Sequence, residues 1–166
     1  MSILDLLRRH AAAIKNQQPM EGIVFKHILL ATDGSELSKV AMAAAINFVK
    51  AGGAKLTAYT CMEEYPYLSS GDAGHPRRKA YEEHEAERAS AVLAEVVAAA
   101  TEAGVTCQTD MSTSVPYKGI IDAAAKHGCD VIFMASHGRR GLEGLLVGSE
   151  TQKVLTHCRI PVLVYR

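Results

Sequence analysis

FKHILLATDGSELSKVAMAAA, residues 25–45, changes its apolar period at Asp33-Gly34-Ser35, and that change decides the fold. Before the break, Ile28, Leu29 and Leu30 are consecutive apolar residues, as in a strand buried on both faces, so residues 25–32 (FKHILLAT) are expected to be a strand. After it, Leu37, Ala41, Ala44, Ala45 and Phe48 recur at helical spacing as far as about Ala51, where Gly52-Gly53 stops the helix. A buried strand that turns directly into an amphipathic helix is the opening of a βαβ unit.

The rest of the chain repeats this alternation. Residues 54–62 (AKLTAYTCM) read as a strand, and residues 63–78, with two prolines and two glycines, as a long surface loop. A helix is expected from Lys79 to Ala103, apolar along Ala89, Val92, Leu93, Val96 and Ala100 and ended by Gly104. Its charged opening, EEHEAER, reads as a solvated helix end with acids close to the N-terminal dipole. Residues 105–112 alternate strictly, with Val105, Cys107, Thr109 and Met111 on one side, which suggests an edge strand with one wet face. A helix follows, with Pro116 in its first turn, Ile120, Ile121, Ala124 and Ala125 facing inward, and Gly128 at its end. Residues 130–135 (DVIFMA) form an apolar strand, 136–148 a Gly- and Arg-rich loop, 149–157 a short helix and 161–165 (PVLVY) a last strand. The order β-α-β-α-β-α-β-α-β predicts an α/β domain over residues 25–166, a doubly wound five-stranded parallel sheet joined by right-handed crossovers. Residues 1–24 form an N-terminal extension in which Ile3, Leu7, Ala11 and Ile14 share a helical face ahead of a polar linker. A helix that short is marginal in water, so docking and fraying are both open.

Composition narrows the function. Lys plus Arg and Asp plus Glu each total 18, which argues against nucleic-acid binding through bulk positive charge. No stretch approaches the ~18 apolar residues of a membrane span, and MSILDLLRRH has no long apolar core of a secretory signal, so a soluble cytoplasmic protein is expected, without membrane partners. Cys61, Cys107, Cys129 and Cys158 include no CxxC pair and are expected to be reduced thiols rather than disulfides or metal ligands.

In open parallel sheets ligands bind beyond the carboxyl ends of the strands. Two features fall there: Ala31-Thr32-Asp33-Gly34 after the first strand, and residues 135–149 (ASHGRRGLEGLLVGS) after the fourth. The second suits phosphate. Its glycines let backbone N–H groups approach an anion, Gly148-Ser149 opens a helix whose dipole favours negative charge, and Arg139 and Arg140 add positive charge. Ser149-Glu150-Thr151-Gln152 also fits a capping box, so Ser149 has two open roles, helix cap and phosphate contact. Asp33 has two as well, ligand contact and helix cap. His137 is a candidate for catalysis, but the motif supplies no carboxylate to orient it and no paired nucleophile, so a contact with backbone or phosphate fits better. No GxxxxGK[ST] occurs, which excludes a P-loop kinase or GTPase as far as sequence can.

The stretch MASHGRRGLEGLLVGSETQKVLTHCRIPVLVYR (134–166), together with HILLATDGSELSKVA (27–41), resembles the universal stress protein family. The resemblance spans residues 26–166 and implies a Rossmann-like sheet of order 3-2-1-4-5. The family's nucleotide-binding branch carries G-x2-G-x9-G-[ST], matched here by Gly138, Gly148 and Ser149 with Ala135 in place of the first glycine. By resemblance, Asp33 takes the ribose hydroxyls with Ala31 and Thr32 beside it, and backbone around Cys61 meets adenine. Met134, Ala135, His137, Gly138, Arg139, Gly148, Ser149, Glu150 and Thr151 then surround ribose and phosphates. The implied ligand is ATP, which Mg2+ could accompany although no carboxylate cluster is dedicated to it. The order 3-2-1-4-5 would leave the apolar strand Val162-Leu163-Val164 at an edge, and the resemblance implies a homodimer through 161–165. The expected role is binding and regulatory in a stress response, any hydrolysis being slow and incidental. The alternatives are a slow nucleotide hydrolase or phosphotransferase, and an interaction module that has lost nucleotide, marked by Ala135.

Overall fold

The computed structural model describes residues 25–66, 76–138 and 147–166. They form β1 (His27–Ala31), α1 (Glu36–Gly52), β2 (Lys55–Met62), α2 (Pro76–Glu102), β3 (Cys107–Thr113), α3 (Pro116–His127), β4 (Val131–Ala135), α4 (Ser149–His157) and β5 (Val162–Tyr165). All four strand pairings are parallel and the order is β3-β2-β1-β4-β5, as expected. The expected helix within residues 1–24 lies outside the described residues, as do 67–75 and 139–146.

The central strand explains its own composition. Ile28 and Leu30 join the core beneath α1 and α2, whereas Leu29 joins Tyr59, Ile120, Ile132 and Val154 beneath α3 and α4. Both faces being covered, β1 is apolar without alternation. Ser35 caps α1, its side chain accepting from the Ser38 amide, and Gly53 ends the helix at φ 66°, a backbone conformation that costs glycine little.

Several expectations need correction. On α1 the buried positions are Ser38, Ala41, Ala45, Ile46 and Val49, while Phe48 is 41% exposed and only borders the core, near Phe25 and Phe133. The second helix begins at Pro76, which suits a first turn because it lacks the N–H that would be left unpaired. That turn holds Arg77, Arg78 and Lys79 and no acid. Glu82 and Glu83 lie one turn on, pairing with Arg78 and Lys79. Nor is EEHEAER wholly solvated, because Glu85 is 7% exposed. The strand at the sheet's edge begins at Cys107, two residues later than the alternation suggests. Met111 is exposed, whereas Asp110 is half-buried and accepts hydrogen bonds from Lys126 and His127 of α3. On α3 the buried set is Gly119, Ile120, Ala123 and Ala124, one residue earlier than the apolar pattern suggests. Ile121 is half-buried and Ala125 exposed. Gly119 turns inward because Tyr59 of β2 leaves room there for no side chain.

The four cysteines are free thiols, and burial pushes Cys129 up to about 11. No helix among the described residues is long and apolar enough to cross a membrane.

His27, at the amino end of the sheet, carries a prediction. Its Nε2 lies 2.8 Å from Thr57 Oγ1. Burial, then the charges of Lys55 and His127, push it below its ordinary value, against the pull of Asp130. A histidine depressed in the folded state resists protonation there, so folding stability is lost as pH falls below about 6.5, where the unfolded chain begins to take up the proton. Melting temperatures at pH 7.5 and 5.5 should show a drop in the wild type and a smaller one in His27→Gln. An equal drop in both would assign it to other groups.

Candidate functional site

β1 and β4 lie side by side, yet the chain leaves β1 for α1 on one face and β4 for α4 on the other. Chains diverging from adjacent strands open a crevice at their carboxyl ends. A cleft of about 540 Å³ lies there, within the usual size of a small-molecule site. Its wall contains Ala31, Thr32 and Asp33 from the end of β1, Cys61 from β2, Met134, Ala135, His137 and Gly138 from the end of β4, and Gly148, Ser149, Glu150 and Thr151 from the start of α4. These are the sequence-predicted residues apart from Arg139, which lies outside the described residues.

On the β1 side, the Thr32 amide donates to the Tyr59 carbonyl at 3.0 Å, and its hydroxyl donates to Ser38 Oγ at 3.1 Å. Asp33 Oδ1 accepts from the Ser35 amide and hydroxyl at 3.1 and 2.7 Å. Asp33 is therefore not itself the cap of α1 but orients Ser35, which is. Its other oxygen faces the opposite wall, and a Cβ built on Gly138 would stand 2.6 Å from Oδ2. Glycine at 138 is thus what lets a carboxylate on one strand end approach the backbone of its neighbour.

On the β4 side, the Ser136 amide extends the sheet by donating to the Tyr165 carbonyl at 2.8 Å. The Gly148 amide returns to the Ser136 carbonyl at 2.7 Å and closes the loop onto the strand it left. A Cβ on Gly148 would press on that carbonyl at 3.2 Å and on His137 Cα at 3.3 Å. The capping box is not formed. Gly148 occupies the cap position without a side-chain bond, and Ser149 is the first helical residue. Glu150 turns elsewhere, accepting from the Tyr117 amide at 3.0 Å and from Lys153 at 2.7 Å. Thr151, 3% exposed, donates its hydroxyl to the Ala135 carbonyl at 3.1 Å and ties α4 to the end of β4. The positive end of α4 therefore opens on the cleft without a side-chain cap among the described residues, an arrangement suited to an anion.

His137 Nδ1 lies 3.1 Å from Ser136 Oγ, so among the described residues a hydroxyl and not a carboxylate orients the ring. Its Nε2 is buried and, among the described residues, unpartnered. Ala135 lines the cleft and is 6% exposed, packed in the core on the α1 side with Leu30 and Phe133.

The far end of the cleft contains residues that sequence reasoning missed: Tyr59, Glu63, Glu64, Ser114, Val115, Pro116 and Ile120. The signal for three of them was present, because Ser114-Val115-Pro116 follows β3 at the same carboxyl edge. Cys61 donates its thiol to the Ser114 carbonyl at 3.0 Å, and burial pushes that thiol up, away from reactivity.

Residues 25–166 match the model of the universal stress protein family. The chain belongs to that family. A universal stress protein of Methanocaldococcus jannaschii is 33% identical over 146 residues, which cover 86% of this chain and 83% of the relative. The universal stress protein UspA of Lactobacillus plantarum has the same fold, with a TM-score of 0.77 at 24% identity over 85% of this chain and 97% of that one. Two further universal stress proteins of this fold were solved with nucleotides. One is in complex with cAMP, with TM-score 0.65, 24% identity and coverage of 86% and 98% of the two chains. The other, from Archaeoglobus fulgidus, is in complex with dAMP, with TM-score 0.58, 17% identity and coverage of 87% and 100%. This chain is accordingly a stress-response protein of the universal stress protein type.

Proposed function

We propose that this universal stress protein binds an adenine nucleotide, ATP being the expected ligand, in the cleft between β1 and β4. It acts as a regulatory binding protein in the cytoplasm, not as a catalyst of rapid turnover. The observation that carries the reading is the close approach of Asp33 to Gly138 beside the start of α4, whose cap residue Gly148 has no side chain. It sets a carboxylate suited to a ribose diol next to amides suited to phosphate. The cAMP and dAMP complexes of two proteins of this fold support the same ligand class. Asp33 would hold the ribose, backbone at Cys61 the base, and Gly138, Gly148, Ser149 and Thr151 the phosphates. His137 would offer Nε2 to a phosphate oxygen. The packing of Ala135 in the core speaks against the alternative that nucleotide binding has been lost. A hydrolytic role is the less supported reading, since the cleft histidine is oriented by Ser136 alone among the described residues.

The same reading makes the protein a homodimer through β5, whose residues Val162–Tyr165 are half-buried at the edge of the sheet. Isothermal calorimetry with ATP should give saturable binding at one site per protomer, and sedimentation of the same sample should give twice the protomer mass. Absence of heat and of bound nucleotide across the millimolar range would overturn the nucleotide reading. A protomer-sized species would overturn the dimer.

A further inference from the structure

Behind the cleft, where α2 passes the carboxyl end of β2, lies a buried ion pair that the proposed function leaves unused. Glu85 is 7% exposed, and the Arg88 side chain 17%. Arg88 donates from Nε and Nη2 to the two Glu85 oxygens at 3.1 and 2.9 Å. Both partners also hold backbone. Arg88 Nη2 donates to the Cys61 carbonyl at 2.9 Å, and Glu85 Oε2 accepts from the Glu63 amide at 3.0 Å. The hydrogen bonds to Glu85 keep the guanidinium above its ordinary value against burial, and the charges of Glu63 and Asp33 add to the effect.

The position of this pair follows from sheet geometry. The last rung between β1 and β2 is the bond from the Thr32 amide to the Tyr59 carbonyl. Cys61 lies two residues further, so its carbonyl points to the same side, where β1 no longer runs and the chain has turned off at Asp33. Arg88 supplies the missing donor. Cys61, Glu63 and Asp33 all line the cleft, so the pair braces the cleft's far end from outside. The cost of taking such a pair out of water commonly matches its attraction, which makes stability a poor reason for it. A planar guanidinium held on two sides is, by contrast, a strong geometric constraint.

We propose that Glu85 and Arg88 are positioning residues for base recognition, holding the backbone of residues 61–63 where a purine edge is read and thereby setting base selectivity rather than phosphate affinity. The inference rests on the nucleotide reading above. A carbonyl has two lone pairs, and Arg88 occupies one in a fixed direction. The other would accept from a donor in the cleft, which would suit a 6-amino purine and oppose a 6-oxo purine, whose oxygen would face it.

Binding of ATP, inosine triphosphate and inorganic tripolyphosphate should be measured by calorimetry on the wild type, on Arg88→Lys and on the double variant Glu85→Gln/Arg88→Met. The double variant removes both charges, so neither is left buried alone. The wild type is expected to prefer ATP over inosine triphosphate by about tenfold or more, roughly what one hydrogen bond to the base supplies. In the double variant that ratio should fall to within about threefold, with tripolyphosphate binding unchanged, and Arg88→Lys should lie between, since one ammonium replaces a two-sided fork. An unchanged ratio in Arg88→Lys and the double variant overturns the inference, and so does an equal loss for all three ligands, the mark of a merely structural role. If the double variant does not fold, Arg88→Lys decides alone, a narrowed ratio supporting the inference and a wild-type ratio overturning it. A wild type that binds no nucleotide overturns the proposed function and this inference together, whereas normal ATP binding with undisturbed selectivity in the variants overturns this inference only.

Discussion

Asp33→Ala is expected to weaken ATP binding by about 10- to 100-fold, the equivalent of the ~1.5–3 kcal/mol of a hydrogen bond to a charged group. Two consequences of the substitution must be separated. Asp33 Oδ1 orients Ser35, the cap of α1, and its loss should cost about 1 kcal/mol of stability, the usual worth of a helix cap. Oδ2, the oxygen facing Gly138, is the one that would meet a ribose diol across the cleft. Asp33→Asn distinguishes the two. An amide oxygen can still accept from Ser35, so the melting temperature should stay near that of the wild type while ATP binding falls. If Asp33→Asn binds ATP as the wild type does, the carboxylate is only a brace for the helix start. Gly138→Ala tests the opposite wall of the same contact. Its methyl would displace the Asp33 carboxylate, and affinity should fall without any change of charge.

The largest stability effect is expected at Gly119. A Cβ there would collide with the hydroxyl of Tyr59, a side chain 1% exposed that shares a 2.8 Å hydrogen bond with Ser112. Gly119→Ala should therefore destabilise the fold by about 2 kcal/mol or more, although alanine is the better helix former by ~1 kcal/mol, because overpacking a buried contact outweighs propensity. In a domain of this size that corresponds to a fall in melting temperature of roughly 4–8 °C. Tyr59→Phe/Gly119→Ala removes the colliding oxygen and should recover part of the loss. A Gly119→Ala variant more stable than wild type would mean that Tyr59 has room to move, and that the inward rotation of α3 has another cause.

The same two sites mark how far the sequence could be read. The periods of the apolar residues placed every strand and helix among the described residues, because burial on one face or two imposes its repeat on the local sequence. Edges were harder. On β3 the alternation gave an edge strand with one wet face but not which face, and the tertiary structure decides it, since Asp110 is covered by Lys126 and His127, residues that no local pattern connects to it. On α3 the inward stripe was read one residue late, since a glycine contributes nothing to an apolar pattern even where it forms the closest contact. Ser149 resembled a cap, but the loop closes through the Gly148 amide onto the Ser136 carbonyl, which makes Gly148 the cap instead.

The sequence alone determined the alternation of elements, the parallel sheet and the two strand-end segments that flank the cleft, because each is carried by residues close together in the chain. The tertiary structure decided what meets across the cleft. Asp33 approaches Gly138 because β1 and β4 are neighbours, and Arg88 reaches the Cys61 carbonyl because α2 passes the place where β1 ends. Such contacts join residues far apart in the chain through directions set by helix packing, and no repeat in the sequence carries that information.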